Sequence, residues 1–178
     1  MNKSPLPYNF GMWPNLCRSL ACLLILTIST APVLPAQERD RVDLTLISRM
    51  GADKVEDSLR PLLKAVRDSG HPVVWACDPM HGNTITSQGG RKTRDFSVIC
   101  SEIDGFVKAH QAEGTWPGGI HVELTGDDVT ECIGGVDNIL DSQLDDRYQT
   151  VCDPRLNGRQ GLDLAFHVAE MIRTSGLA

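Results

Sequence analysis

Residues 43–50 read DLTLISRM, residues 72–77 read PVVWAC and residues 119–125 read GIHVELT, and these three segments decide the fold. Each is short, mostly apolar and rich in residues that favour β-strands. The first two have the continuous apolar character of buried strands. The third alternates, with Ile120, Val122 and Leu124 on one face and His121 and Glu123 on the other. We therefore predict three strands.

A segment with helical periodicity follows each predicted strand. The first helix is predicted between a cap at Asp53 and a stop at Gly70, with Pro61 limiting where it can start. Its apolar face comprises Val55, Leu59, Leu62, Leu63 and Val66. The second helix ends at Gly114, and its face comprises Phe96, Ile99, Ile103, Phe106 and His110. The third is closed by Gly176, and its face comprises Leu162, Ala165, Phe166, Ala169 and Ile172.

Alternating strands and helices predict an α/β fold with a parallel sheet and helices packed outside it, either a doubly wound sheet or a (β/α) barrel. Neither GxGxxG nor GxxxxGK[ST] follows any predicted strand, which counts against the nucleotide-binding doubly wound folds. A barrel is favoured, with three βα units visible. In such barrels the functional residues lie in the loops after the strands.

Size and charge limit the class of protein. The chain has 178 residues, which is typical of one domain, and its 41% hydrophobic content excludes a disordered or low-complexity chain. Seventeen Lys and Arg residues stand against 23 Asp and Glu residues, giving a net charge of -6. We expect no nucleic-acid partner, because nothing in this balance attracts phosphate backbones or anionic lipid.

Six cysteines without a CxxC pair do not resemble a disulfide-stapled small protein, and they favour a reducing compartment. We predict that Cys77 and Cys152 are core thiols. His71, His110 and His167 are predicted to be surface or helix-packing residues.

Residues 1–40 differ in composition from residues 41–178, and we place a boundary between them. A nine-residue apolar run at 20–28 follows Lys3 and Arg18 and precedes small residues, as in a secretory signal. It is shorter than the roughly 20 residues that span a bilayer. The alternative is a segment unrelated to the working fold, such as a misassigned start or a joined foreign segment. Whether the protein is exported depends on which of these two interpretations of residues 1–40 is correct.

Polar groups follow the predicted strands. His81 follows the second strand, Glu123 ends the third and Asp153 precedes the last helix. An imidazole and two carboxylates from separate loops could bind Mn²⁺, Co²⁺, Fe²⁺ or Zn²⁺. The alternative is a structural histidine and a Glu123 paired with a cation. His121 lies on the same side of its strand as Glu123 and is expected to be an orienting neighbour rather than a ligand.

Two cationic features accompany these groups. Arg49 ends the first apolar strand, so we expect an anionic ligand or a buried ion pair beside it. Residues 84–94, TITSQGGRKTR, contain two glycines and three cations. This segment is either a solvated loop or a mobile loop that closes over a phosphate or carboxylate.

Several long motifs occur in order between residues 43 and 175: LTLISRMGADKV, WACDPMHGNT, RKTRDF, PGGIHVELTGDDVTECIGG, CDPRLN and QGLDLAFHVAEMIR. Together they resemble the C-terminal part of class II 3-deoxy-D-arabino-heptulosonate 7-phosphate synthase. The resemblance implies a (β/α)₈ barrel that condenses phosphoenolpyruvate with erythrose 4-phosphate in the shikimate route to aromatic amino acids. It also implies a divalent metal such as Mn²⁺ or Co²⁺.

Carried over by motif, His81, Glu123 and Asp153 resemble three of the four metal ligands of the family. Arg49 resembles an arginine that holds phosphoenolpyruvate, and Lys92 is a further candidate anion contact. The fourth ligand of the family is a cysteine from an earlier strand, and no matching motif supplies it here. The resemblance also implies a location in the cytoplasm, or in plastids if the source is a plant.

Three βα units cannot close a barrel that needs eight strands. We therefore expect a portion of the synthase that is inactive alone and associates with itself or with a full-length subunit, because open sheet edges and apolar faces favour association. The alternative is a noncatalytic interaction module that docks on a full-length synthase. A metal-dependent enzyme of another specificity is a third possibility.

Overall fold

The computed structural model describes residues 44–175, which adopt a mixed α/β fold. The predicted signal and the domain boundary at residue 40 lie outside the described residues, as do Gly176, Cys17 and Cys22. The strands are β1 (Thr45–Ser48), β2 (Val74–Cys77), β3 (Ile85–Thr86), β4 (Lys92–Thr93) and β5 (Gly119–Ile120). The helices are α1 (Val55–Ser69), α2 (Phe96–Glu113) and α3 (Gly158–Ser175).

Strands β1, β2 and β5 form a parallel sheet in that order. Thr45 lies opposite Val74 and Ser48 opposite Cys77, while β5 pairs with the end of β2. The prediction of a parallel sheet with helices is confirmed. The strands are shorter than predicted, and β1 is not buried on both faces, because Ile47 is exposed. After Ile120 the third segment leaves the sheet, and Leu124 forms an isolated bridge with Leu156.

Helix α1 differs from the prediction at its start and agrees with it at its end. Lys54, and not Asp53, flanks its first turn, and no side chain caps it. Instead the carbonyl of Gly51 accepts the N–H groups of Lys54 and Val55. Pro61 lies inside the helix and does not limit its start. Gly70 ends the helix in the left-handed conformation, as predicted, with φ of 72°.

Helix α2 is set by standard capping groups. Asp95 accepts a hydrogen bond from the backbone N–H of Ser97, and Gly114 ends the helix in the left-handed conformation. Its predicted face is buried and packs against α1 and the sheet, including Ile99, Ile103 and Phe106. His110 is also buried, with its ring edge-on to Phe106, in agreement with a helix-packing role.

Helix α3 exists as predicted, but its packed face is different. Leu162 and Phe166 from the predicted face are exposed at 59% and 66%. The core receives Leu164, Val168 and Met171 instead. Both sets repeat at helical spacing, so periodicity alone could not choose between them.

The segment at 84–94 is neither a fully solvated loop nor an open lid. It contains an antiparallel hairpin in which Ile85 pairs with Thr93 and Thr86 with Lys92. The hairpin carries Arg94 into the interior, where its side chain is fully buried. The cationic segment thus divides into exposed Arg91 and Lys92 and a buried arginine.

The described cysteines, Cys77, Cys100, Cys132 and Cys152, are free thiols. Cys77 is buried as predicted, but Cys152 is exposed, which corrects its assignment to the core. It lies in the loop before α3, where its thiol contacts the side chain of Asp153. His71 is exposed, and His167 contacts Asp104 between α2 and α3. Among the described helices, none is long and apolar enough to cross a membrane.

Candidate metal centre

Three loops bring one imidazole and two carboxylates together beyond the carboxyl ends of the strands. His81 lies in a single 3₁₀ turn, His81–Asn83, after β2. Glu123 follows β5, and Asp153 precedes α3. One ligand atom from each residue lies within 4.8 Å of the other two, and all three side chains are partly buried. These are the residues that the sequence predicted as a group.

Asp78 orients the His81 ring. Its Oδ1 accepts the N–H groups of Met80 and His81 at 3.0 and 3.2 Å, and its Oδ2 lies 2.7 Å from His81 Nδ1. Burial raises the pKa of Asp78, but these hydrogen bonds more than offset it and hold the pKa below its usual range. An ionised carboxylate can only accept, so we assign the proton to Nδ1. The lone pair of Nε2 is then directed at Glu123.

Glu123 uses its two oxygens differently. Oε2 accepts a hydrogen bond from Arg94 Nη1 at 2.8 Å, whereas Oε1 lies 3.4 Å from His81 Nε2. One oxygen is therefore held by a cation, and the other faces the imidazole. His121 stacks beside His81, with ring centroids 6.4 Å apart and 21° between planes.

Asp153 contacts a thiol and a cation. Its Oδ2 accepts a hydrogen bond from the Cys152 thiol at 3.3 Å, and its Oδ1 lies 3.4 Å from Lys92 Nζ. The thiol contact lowers the pKa of Asp153 and raises the pKa of Cys152, and Lys92 lowers the carboxyl pKa further. Asp153 is therefore available as an anionic ligand at neutral pH.

The donor chemistry suits a divalent ion. One imidazole nitrogen and two carboxylate oxygens are ligands accepted by Mn²⁺, Co²⁺, Fe²⁺ and Zn²⁺. Bonds of about 2.1 Å place donors of one ion roughly 3 to 4 Å apart, so small side-chain rotations would bring this set into range. Lys92 and Arg94 balance the two carboxylates when no ion is bound.

Arg49 stands at the end of β1 but is exposed, and no carboxylate within residues 44–175 forms an ion pair with it. Within this described part of the chain, the expected buried ion pair is therefore not found. The loop after Arg49 is fixed by Glu102, a fully buried carboxylate on α2 that accepts the N–H groups of Met50 and Gly51 at 3.0 Å. The backbone that follows Arg49 is thus fixed, while the Arg49 side chain is exposed.

Asn83 joins this loop to the turn that carries His81. Its Nδ2 donates to Glu102 at 2.6 Å, and its Oδ1 accepts the N–H of Ala52. A Cβ on Gly82 would come within 2.7 Å of the Gly51 nitrogen, so glycine permits the two backbones to touch. The Arg49 loop and the His81 turn are consequently one packed unit.

Glu131 and Arg155 fix the loop that carries Asp153. Glu131 is fully buried, and its oxygens accept two hydrogen bonds from the Arg155 guanidinium at 2.7 and 3.0 Å. They also accept the N–H groups of Gln149, Thr150 and Arg155. The Glu131 carboxylate thus holds both ends of the segment 149–155, which contains Asp153.

The sequence did not identify these supporting residues. Glu102 had a signal, because it lies three positions from Ile99 and four from Phe106 and so shares the buried face of α2. Glu131 stands beside Cys132 in a short apolar stretch. Nothing local distinguished Arg94 from its exposed neighbours.

Comparison with known proteins matches a region that includes His81, Glu123 and Asp153. Residues 26–169 match the model of the class-II DAHP synthetase family, where DAHP is 3-deoxy-D-arabino-heptulosonate 7-phosphate. The chain belongs to this family. It is 53% identical over 152 residues to phospho-2-dehydro-3-deoxyheptonate aldolase AroG of Mycolicibacterium smegmatis, covering 82% of this chain and 33% of that protein. The family assignment from motifs is therefore confirmed.

Two Streptomyces proteins named phospho-2-dehydro-3-deoxyheptonate aldolase are also similar. The Streptomyces coelicolor protein is 57% identical over 136 residues, which cover 76% of this chain and 30% of that protein. The Streptomyces lividans protein is 56% identical over 138 residues, covering 76% of this chain and 92% of that shorter relative. The chain spans about a third of the length of the first two relatives.

Proposed function

We propose that the chain supplies the metal-binding end of a DAHP synthase site, which condenses phosphoenolpyruvate with erythrose 4-phosphate. The observation that carries the proposal is the placement of His81, Glu123 and Asp153 within 4.8 Å of one another. When bound, a divalent ion such as Mn²⁺ or Co²⁺ would act as a Lewis acid on the aldehyde oxygen of erythrose 4-phosphate.

The other residues of this chain would position and neutralise substrate. Arg49 is exposed at the strand end and can pair with the carboxylate or phosphate of phosphoenolpyruvate. Lys92 Nζ, 3.4 Å from Asp153, is a second cation for an anionic substrate group. Asp78 would keep His81 in the tautomer that leaves Nε2 free to bind the ion.

The three βα units are proposed to be part of a (β/α)₈ barrel, which is the fold implied by the family resemblance. Eight strands are needed to close such a barrel, and the described residues contribute three to the parallel sheet. We therefore propose that this chain alone does not turn over. The reaction belongs to the cytoplasm, or to plastids in a plant, by family.

Metal binding is the direct test. Titration of the purified chain with Mn²⁺, followed by the electron paramagnetic resonance signal of free Mn²⁺, should give one site. His81→Ala, Glu123→Gln and Asp153→Asn should each weaken binding by at least roughly tenfold. His167→Ala is the control, because His167 pairs with Asp104 outside the cluster. Equal affinity in all four variants would remove the proposed metal site.

Activity is tested separately. With phosphoenolpyruvate, erythrose 4-phosphate and Mn²⁺, the purified chain should release no phosphate and form no condensation product. Sustained turnover by the isolated chain would show that the proposal of inactivity is wrong, while leaving the metal site intact. Copurification with a full-length synthase, without any effect on its rate, would favour the interaction module.

A further inference from the structure

Arg94 is a fully buried guanidinium that the proposed reaction does not use. Its side chain has no solvent exposure, although it follows a hairpin whose other cations are exposed. Its backbone is held by the neighbouring segment, since its carbonyl accepts the N–H of Ile133 at 2.9 Å. The side chain therefore enters the interior from a fixed point.

The guanidinium contacts three separate loops. Its Nε donates to Thr84 Oγ1 at 3.0 Å, and its Nη1 donates to Glu123 Oε2 at 2.8 Å and to the carbonyl of Pro154. Thr84 follows the turn that carries His81, and Pro154 directly follows Asp153. Each contact thus lies at, or close to, a different candidate ligand.

Stability alone does not account for this residue. Nη2 is buried and has no hydrogen-bond partner within residues 44–175, which is unfavourable for a charged group. An ion pair of this kind often contributes no more to folding than an apolar side chain of the same volume. Arginine does offer a planar fork that can hold several acceptors in fixed directions.

We propose that Arg94 is a positioning residue that sets the spacing of the three candidate metal ligands. This inference about Arg94 rests on the proposed function. By holding Oε2 of Glu123, Arg94 leaves Oε1 directed at His81 Nε2, 3.4 Å away. By holding Thr84 and Pro154, it fixes the loops on either side of Glu123. Without it, the carboxylate can rotate and the loops can separate.

The first test measures Mn²⁺ affinity in the full chain. Arg94→Met and Arg94→Lys should both bind Mn²⁺ roughly 10- to 100-fold more weakly than the unsubstituted chain, as found for residues that orient metal ligands. Lysine keeps the charge but lacks the fork. Wild-type affinity in Arg94→Lys would overturn the proposal, because charge alone would then be sufficient. So would unchanged affinity in both variants.

A matched variant separates positioning from loss of stability. Ile103→Val removes one methyl group from the buried core and leaves the hydrogen-bond partners of Arg94 unchanged. It should lower the melting temperature while leaving the Mn²⁺ affinity of the folded chain unchanged. If Ile103→Val weakens Mn²⁺ binding as much as Arg94→Met does, the effect of Arg94 is general destabilisation and the proposal is wrong.

The second test needs no metal. Hydrogen exchange of backbone amides, measured by mass spectrometry, should be faster in Arg94→Met than in the unsubstituted chain at three reporter positions. These are the N–H of Asn83, which donates to the carbonyl of Met80, the N–H of Thr125, which donates to the carbonyl of Leu156, and the N–H of Leu156, which donates to the carbonyl of Glu123. Arg155→Met is the comparator, because its contacts with Glu131 lie in the Asp153 loop. It should speed exchange at 149–156 and leave Asn83 protected.

The two proposals fail in different ways. If the unsubstituted chain binds no Mn²⁺, the proposed metal site fails, and exchange at the three reporters still decides whether Arg94 joins the loops. If His81→Ala weakens Mn²⁺ binding but the Arg94 variants do not, the metal site stands and the inference about Arg94 fails. Faster exchange confined to the residues next to Arg94 would also overturn it.

Discussion

The ion pair between Glu131 and Arg155 gives the sharpest stability prediction. Arg155→Met leaves a fully buried carboxylate without its cation, while three backbone N–H donors remain. Removing one partner of a fully buried pair costs about 3 to 5 kcal/mol. Arg155 is 30% exposed in its side chain, and the remaining donors help, so we expect a loss of about 2 to 3 kcal/mol.

The assay is urea unfolding of the full chain, supported by thermal melting. The expected loss corresponds to a decrease in melting temperature of about 4 to 12 °C. Arg147→Met is the control, since its pair with Asp128 is exposed and should contribute less than about 1 kcal/mol. A loss in Arg155→Met that is no larger than in Arg147→Met would refute the reasoning.

Acidification provides an independent check on the same pair. Burial raises the pKa of Glu131, but Arg155 and the backbone N–H groups more than offset this and leave the pKa below its usual value. A lowered pKa in the folded state gives stability that is present above the ordinary value, about 4.3, and lost as the pH falls through the folded value. The difference in the free energy of unfolding between wild type and Arg155→Met should therefore become smaller below about pH 4. A constant difference down to pH 3 would contradict this origin.

Three further predictions concern the packing of the described fold. Gly82→Ala should destabilise the chain by about 1 to 3 kcal/mol in urea unfolding, because the added Cβ meets backbone at 2.7 Å, whereas Gly89→Ala, with its nearest neighbour at 3.8 Å, should be almost neutral. Burial lowers the pKa of His110 to about 4. Between about pH 6.5 and pH 4 the unfolded chain therefore binds more protons than the folded chain. Stability should fall by up to about 3 kcal/mol as the pH decreases through this window, and His110→Phe should flatten that dependence; an unchanged slope in the variant would exclude His110 as its source. Leu164→Ala should cost about 2 to 4 kcal/mol and Phe166→Ala less than about 1 kcal/mol, and the reverse order would show that the face of α3 is misassigned.

The sequence was informative where a local pattern had one physical solution. Gly70 and Gly114 end helices because the left-handed conformation there suits glycine, and Asp95 lies where an acceptor caps the next helix, although that cap was not predicted. The periodic face of α2 could be assigned because only one set of apolar residues fits it. On α3, two sets fit, and the wrong one was chosen.

The sequence by itself determined the family, the alternation of strands and helices, and the grouping of His81, Glu123 and Asp153, since parallel strands bring their following loops to one edge. Only the tertiary structure decided how these three side chains are held. Arg94 and Glu131 act on loops distant in sequence, and their burial depends on contacts that form when the chain folds. No local pattern encodes such contacts, because a hydrogen bond across 29 or 60 positions depends on the path of everything between.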